Sequence, residues 1–474
     1  METRYSLLPR IPVTLLCDQV IGEFEGWRHT IGHGGVNKYP LPPRVSKGLA
    51  GLKPRLVRTF IQEYFNIYPE HGKFDFSALD PYMESLAASG GKVAACICIK
   101  PKPLYPVIDQ TVIMPNDVAE WQNVVETLVK RYSVEKEIVT YWEIANESDI
   151  GEWGGCPYLT HTPADYNAYY KITQEAVLRA FPAAMVGGLA LANAGSELLE
   201  GLLAYCHTEG LRLDFVSWHL YSDVPAEHAG NVTRIREMMK KYFPDKLPEM
   251  LITEMSNSFP RASVEDGAFD SLRPAAMAAS VFAMMDARLD WSFYYHIWDQ
   301  VNVASQFAPF YADPDIMLVH WNMIPHRFGL FGVCGEVRPS YFFYQMLTMM
   351  GESELATEGG AGDLRVKAAV DERGALTAML VNYDVNKSRE LVAEIDYAGV
   401  TDGLKLLTVY RVDNDRRWDA ETLEMKPVER RYVDVSARHS PRTFYNHVYC
   451  PANSVTLVSL EPVTEEQMLA EYHY

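Results

Sequence analysis

From about residue 25 to residue 350 the chain alternates short apolar runs with longer segments of helical period, and few folds accept that rhythm. The apolar runs stand at Leu56–Ile61, Val93–Ile99, Ile138–Ile144, Met185–Ala190, Phe215–Leu220, Met250–Thr253 and Trp291–Trp298, with a first strand near His29–Gly34. Between them lie helical segments, among them Ser77–Ala88, Val118–Tyr132, Pro163–Ala180, Ser196–Glu209 and Pro274–Arg288. Ser77, Asn116 and Thr162 are placed to cap three of these helices, with Pro163 just inside the third. Strand followed by helix, repeated, means a parallel sheet. Eight such units over roughly 320 residues predict a closed (β/α)8 barrel rather than an open sheet.

After Gly351 the texture changes. Leu364–Ala369, Leu376–Asn382, Leu391–Ile395, Leu404–Arg411 and Ser454–Leu460 are short, alternating and separated by turn residues such as Asp402-Gly403. That pattern predicts an antiparallel β-sandwich. The first twenty or so residues also read as extended chain and could add a strand to it. The expected organisation is therefore 1–24 joining the sandwich, 25–350 as the barrel and 351–474 as the accessory domain.

Lys and Arg number 43 against 62 Asp and Glu, a net charge of −19. Phosphate backbones and anionic membrane surfaces are bound by cations, so neither a nucleic acid nor a membrane is an expected partner. No apolar stretch approaches the roughly 18 residues of a membrane span. Met1-Glu-Thr-Arg lacks the cationic-then-apolar pattern of a secretion signal, which leaves a cytoplasmic protein or one whose leader has been removed. The seven cysteines are scattered and show neither CxxC nor Cys/His ligand spacing, so they read as small buried hydrophobes and not as a zinc site.

Reactive groups in a barrel of this kind sit at the C-terminal ends of its strands. Two carboxylates meet that condition. Glu147 ends the fourth run, Tyr141-Trp-Glu-Ile-Ala-Asn-Glu147, and Glu254 ends the seventh, Met250-Leu-Ile-Thr-Glu254. A single glutamate at a strand end is usually a loop residue facing water. Two of them, on runs four and seven, supply what glycoside cleavage needs: an acid for the leaving oxygen and a carboxylate for the anomeric carbon. That chemistry calls for no cofactor and no metal.

The Asn146-Glu147 dyad with Glu254 107 residues later resembles the clan A retaining glycoside hydrolases. Within that clan the sequence is most similar to glycoside hydrolase family 39, which includes β-xylosidases and α-L-iduronidases. Supporting stretches are Glu63 through Asp80, Ile99-Lys-Pro-Lys-Pro103, Asp214-Phe-Val-Ser-Trp-His219, and Phe328-Gly-Leu-Phe331 through Arg338-Pro-Ser-Tyr341. The resemblance implies Glu147 as general acid/base, Glu254 as nucleophile and Asn146 as the hydrogen-bond partner of the sugar 2-hydroxyl. It also implies a glycoside or oligosaccharide substrate and a sandwich domain after the barrel. Two departures concern loop shape: Ser148 stands where proline is common in this motif, and Ala145 where a bulky residue is frequent.

Other strand-end residues carry two readings each. Arg58 could steady the nucleophile or pair with Glu143 inside the barrel. His219 could touch substrate, hold Glu254, or be a hydrogen-bonded core histidine. Trp298, in Phe293-Tyr-Tyr-His-Ile-Trp298, stands where clan A enzymes place a sugar platform, although an aromatic is more often core. Lys100 is the family-like contact for a distal sugar, with an exposed lysine as the alternative. The segment Ser305–Arg327, 23 residues long and rich in aromatics, is expected to cover part of the site. The expectation is thus a retaining, exo-acting, β-xylosidase-like hydrolase. The rivals are another sugar specificity in the same clan (arabinosidase, uronidase or endo-acting) and a non-catalytic carbohydrate-binding barrel. Association into homo-oligomers is left open by the sequence.

Overall fold

The computed structural model describes residues 7–34, 36–258, 266–318, 322, 328–413, 422–435 and 444–472. Its first strand, β1 (Arg10–Glu23), belongs to a sheet completed only by the end of the chain. Eight parallel strands then close a barrel: β2 (His29–His33), β3 (Leu56–Gln62), β4 (Lys92–Cys98), β5 (Val139–Ile144), β6 (Met185–Leu191), β7 (Phe215–Tyr221), β8 (Glu249–Ser256) and β9 (Trp291–Tyr295). Ile31 of β2 pairs with Val57 on one side and Tyr294 on the other, which closes the ring.

Alternation along the strands sorts side chains between the lumen and the surrounding helices. At the bottom of the lumen Leu56, Ala94, Phe215, Leu251, Trp291 and Phe293 form an apolar plug. Two residues above Leu56 on the same face is Arg58, so the lumen turns polar towards the C-terminal ends of the strands. The outward faces of β3 and β4 supply Val57, Ile61, Val93, Ala95 and Ile97 to the core shared with the helices.

Helix starts follow local chemistry, with three corrections. Thr162 caps Pro163–Ala180 by accepting the Asp165 N–H. The cap of Val118–Val129 is Asp117, which accepts from Glu120 N, and not Asn116. Ser77 caps nothing: its helix begins at Leu79, and the Ser77 N–H instead bonds Asp75 Oδ1 in a local turn. The helix expected from Pro274 runs Asp266–Asp286, with the proline inside it rather than at its start.

The remaining strands are β10 (Ser353–Gly359), β11 (Leu364–Val370), β12 (Leu376–Asn382), β13 (Leu391–Ala398), β14 (Gly403–Val412), β15 (Glu429–Val435), β16 (Tyr445–Cys450) and β17 (Ser454–Pro462). With β1 they make one nine-stranded sheet in the order β15-β14-β17-β12-β11-β10-β1-β13-β16. The sheet curls so that Leu380, Leu407 and Val458 share a core with Leu15, Ala393 and Val448 from its other half. It is mixed, because β1 lies antiparallel to β10 and parallel to β13. Met379, Val381, Val455 and Leu457, on its opposite face, join the barrel's hydrophobic core, against the helix Asp266–Asp286.

Candidate active site

Arg58 is the hub of the polar upper lumen. It is 1% exposed and donates through Nε and Nη2 to Glu143 Oε2 (3.0 and 2.7 Å), through Nη2 to Asn146 Oδ1 (2.7 Å) and through Nη1 to Glu254 Oε1 (2.7 Å). Arg58 thus pairs with Glu143 and with Glu254 at once. A guanidinium offers five N–H groups in a fixed fork, which lets one cation tie a structural carboxylate, an amide and a third acid into one geometry. Asn146 is further fixed by its amide, which donates to Gly154 O (3.1 Å).

Glu254 has a second partner that was not apparent from the sequence. Tyr221 donates its hydroxyl to Glu254 Oε2 at 2.6 Å. It follows His219 by two residues on β7, so the period of a strand places both on the lumen face; that spacing is the signal that could have found it. A carboxylate bonded on one oxygen by a guanidinium and on the other by a phenol is held in one orientation.

Glu147 lives in a different environment. Ala145 and Glu147 adopt left-handed φ values of 64° and 44°, which turn the chain sharply after β5, and the Glu147 N–H donates to Ala190 O (2.8 Å). Ser148, the departure noted above, is buried and anchors the loop: its carbonyl accepts Thr160 N (2.8 Å) and its hydroxyl bonds Thr160 Oγ1 (2.9 Å). The Glu147 carboxyl lies against Gly154 so closely that any Cβ there would collide with it. Burial, reinforced by the charge of Asp149 and opposed by Arg58, pushes the Glu147 carboxyl up to about 8. Burial holds the His219 imidazole below its usual range.

His219 joins the two acids. Its Nδ1 is 2.6 Å from Glu147 Oε1 and 3.5 Å from Glu254 Oε2. One carboxylate oxygen of each glutamate and one imidazole nitrogen all lie within 4.8 Å of one another. Such a trio could ligate a cation, but its members are already engaged by Arg58, Tyr221 and one another.

Lys100 and Trp298 stand outside this network. Lys100 is buried and donates to the carbonyls of Asp109 (2.6 Å) and Pro157 (3.2 Å), above the rings of Tyr105 and Tyr158; burial lowers its ammonium to about 8. Trp298 is half-buried after β9 and donates Nε1 to Val333 O (3.3 Å). The described part of Ser305–Arg327 lies at the mouth: Ala312 N and Asp313 N donate to Glu152 (2.9 and 3.1 Å), in the turn that carries Gly154, and Phe307 meets Tyr64 edge-on. Trp321 and His326 of that segment fall outside the described residues.

A family model for glycosyl hydrolases family 39 matches residues 57–420, across β3 to β14 and all the polar groups just described. The chain belongs to glycosyl hydrolase family 39. As a family 39 glycosidase it is 20% identical over 439 residues to a β-xylosidase of Geobacillus stearothermophilus, covering 83% of this chain and 82% of that protein. The structure of a monomeric β-xylosidase from Caulobacter crescentus superposes with a TM-score of 0.74 at 19% identity, covering 96% of this chain and all of the other. The bacterial orthologue of human α-L-iduronidase gives a TM-score of 0.73 at 15% identity, over 96% and 84% of the two chains. These likenesses extend through both the barrel and the curled sheet, so the family 39 architecture holds for the whole chain. Its substrate is accordingly a glycoside.

Proposed function

We propose that this glycosidase is a retaining, exo-acting hydrolase of β-xylosidase type, with Glu254 as nucleophile and Glu147 as acid and base. The observation that carries the reading is the approach of the two carboxyl groups, with an oxygen of each within 4.8 Å. Direct attack needs carboxyl groups about 5–5.5 Å apart, whereas an interposed water needs about 6.5–9.5 Å.

The division of roles follows from the environments. Glu254, bonded to Arg58 and Tyr221, is oriented for attack on the anomeric carbon. Glu147, raised to about 8, carries a proton at neutral pH and gives it to the leaving oxygen. Neutral His219 donates from Nδ1 to Glu147 Oε1, which leaves the proton on Oε2 for the substrate. Once the leaving group has taken that proton, the Glu147 carboxylate accepts one from the water that releases the sugar from Glu254. Asn146, oriented by Arg58 and Gly154, meets the 2-hydroxyl. Glu147→Gln should form the covalent intermediate from a dinitrophenyl glycoside but hydrolyse it slowly, with rescue by azide; Glu254→Gln should do neither. Equal, unrescued losses in both variants would remove the assignment. The exo mode rests on the loops that rim the lumen, and a panel of aryl glycosides and oligosaccharides with end-product analysis tests both mode and sugar.

A further inference from the structure

We propose that Asp149 is a positioning residue for the reaction: its carboxylate laces the turn carrying Glu147 to the end of β6 and keeps a negative charge beside that acid. This rests on the acid role of Glu147 given above. Asp149 follows Glu147 by two residues. Its Oδ1 accepts from Ala192 N (3.0 Å) and its Oδ2 from Asn193 N (2.9 Å). Both donors stand just beyond Leu191, the last residue of β6. With the Glu147 N–H on Ala190 O, three hydrogen bonds join the acid's turn to the end of the neighbouring strand.

That seam needs a clamp. Ala190 holds a left-handed φ of 49° opposite the left-handed Ala145 and Glu147, so the backbone is strained on both sides of it. The Ala190 N–H donates to Ser217 Oγ (2.9 Å), two residues before His219 on β7, which carries the same lacing to the imidazole that holds Glu147. A carboxylate has an oxygen for each of the two N–H groups, whereas an amide has only one. Both bonds are to backbone, so among the described residues the charge of Asp149 is fixed in place with no cation to cancel it. The other titratable groups facing Glu147 come from four strands: Arg58 of β3, His219 and Tyr221 of β7, Glu254 of β8 and Tyr295 of β9. Arg58 is committed to Glu143, Asn146 and Glu254, and burial keeps His219 and both tyrosines neutral at neutral pH. Burial does most to keep the proton on Glu147, and the charge of Asp149 adds to it. Removing that charge lets the proton leave at lower pH.

The test follows kcat/KM against pH for Asp149→Asn on two aryl glycosides of whichever sugar the panel identifies. On the phenyl glycoside, whose leaving oxygen needs a proton, the alkaline limb should move down by about one pH unit. On the dinitrophenyl glycoside, whose leaving group departs unaided, the profile should not respond to Asp149 in this way. Asp149→Ser also lacks the charge and should give the same shift, which keeps the measurement open if the asparagine variant does not fold. Glu135→Gln, which removes an exposed acid preceding β5 at the other end of the barrel, should leave the limb in place. Carbon NMR of the glutamate carboxyls, with Glu147→Gln identifying the resonance, should show Glu147 of Asp149→Asn losing its proton at a pH lower by the same amount, with no substrate present. If no glycoside is turned over yet this resonance shifts, the hydrolase reading fails and the placement of Asp149 stands. A limb and a resonance that stay put without the Asp149 charge, equal shifts on both glycosides, or an equal effect of Glu135→Gln overturns the proposal.

Discussion

Replacing Glu147 by glutamine should make the protein progressively more stable than the parent as pH rises. The Glu147 carboxyl is raised from 4.5 to about 8 in the folded chain, so between those values the folded state keeps a proton that the unfolded state has lost. Stability therefore falls with rising pH across that window and is level above it. At 1.36 kcal/mol per pH unit the full cost is about 5 kcal/mol. Glutamine does not titrate and can still accept the His219 Nδ1–H, so it escapes this cost while keeping the bond. For a chain of this size, unfolding entropy near 2.1 cal/mol/K per residue makes roughly 1 kcal/mol correspond to one degree in Tm. The variant's advantage in Tm should accordingly grow by about 5 °C between pH 4.5 and pH 9. Parallel scans of both proteins across that range are the assay, with the alkaline limb of the parent's kcat/KM profile expected near the same pH of about 8. A Tm difference that does not change with pH would refute the raised carboxyl, and with it the reason for Glu147 being the acid.

Gly154→Ala should place a methyl group against the Glu147 carboxyl and cut kcat about 100-fold with Tm nearly unchanged, because displacement of a reacting group by ~1 Å costs that much; a fully active alanine variant would show that the turn yields. Arg58→Met should leave Glu143 and Glu254 buried without their cation and destabilise by about 3–5 kcal/mol, measured by denaturant melts; a loss below ~1 kcal/mol would mean the network reorganises. Tyr221→Phe should remove one hydrogen bond from Glu254 and slow formation of the covalent intermediate by about ten-fold, with little change in its hydrolysis, in pre-steady-state bursts. Equal effects on both steps would place Tyr221 outside the nucleophile's support.

The barrel was legible because its strands are buried on both faces. Residues such as Val93–Cys98 and Phe215–Trp218 are closed off by lumen and helices alike, so their sequences run apolar without alternation. Glu147 and Glu254 stood out as acids at the ends of such runs. What stayed hidden depends on contacts between distant segments. β15 reads Glu-Arg-Arg-Tyr-Val-Asp-Val, an edge strand whose outward charges mask its pairing. Gly154 matters through its fit to a carboxyl seven residues earlier, across a turn with no fixed period. Lys100 was read from its strand-end position and the family resemblance, and the two carbonyls that hold it belong to loops whose course follows no pattern in the sequence.

The place of β1 has a consequence for the order in which this chain can mature during synthesis. Residues Val13–Glu23 pair with β10, and Arg10–Leu16 pair with β13, whose last residue is Ala398. At 5–20 residues per second the ribosome needs on the order of half a minute to make everything between them. Until β10 is made β1 has no neighbour for its backbone, whereas the eight barrel strands are all in place once Tyr295 has been added. A chain cut short after the barrel would keep a fourteen-residue strand with both edges bare. Truncations intended to isolate the barrel should therefore remove the N-terminal strand as well.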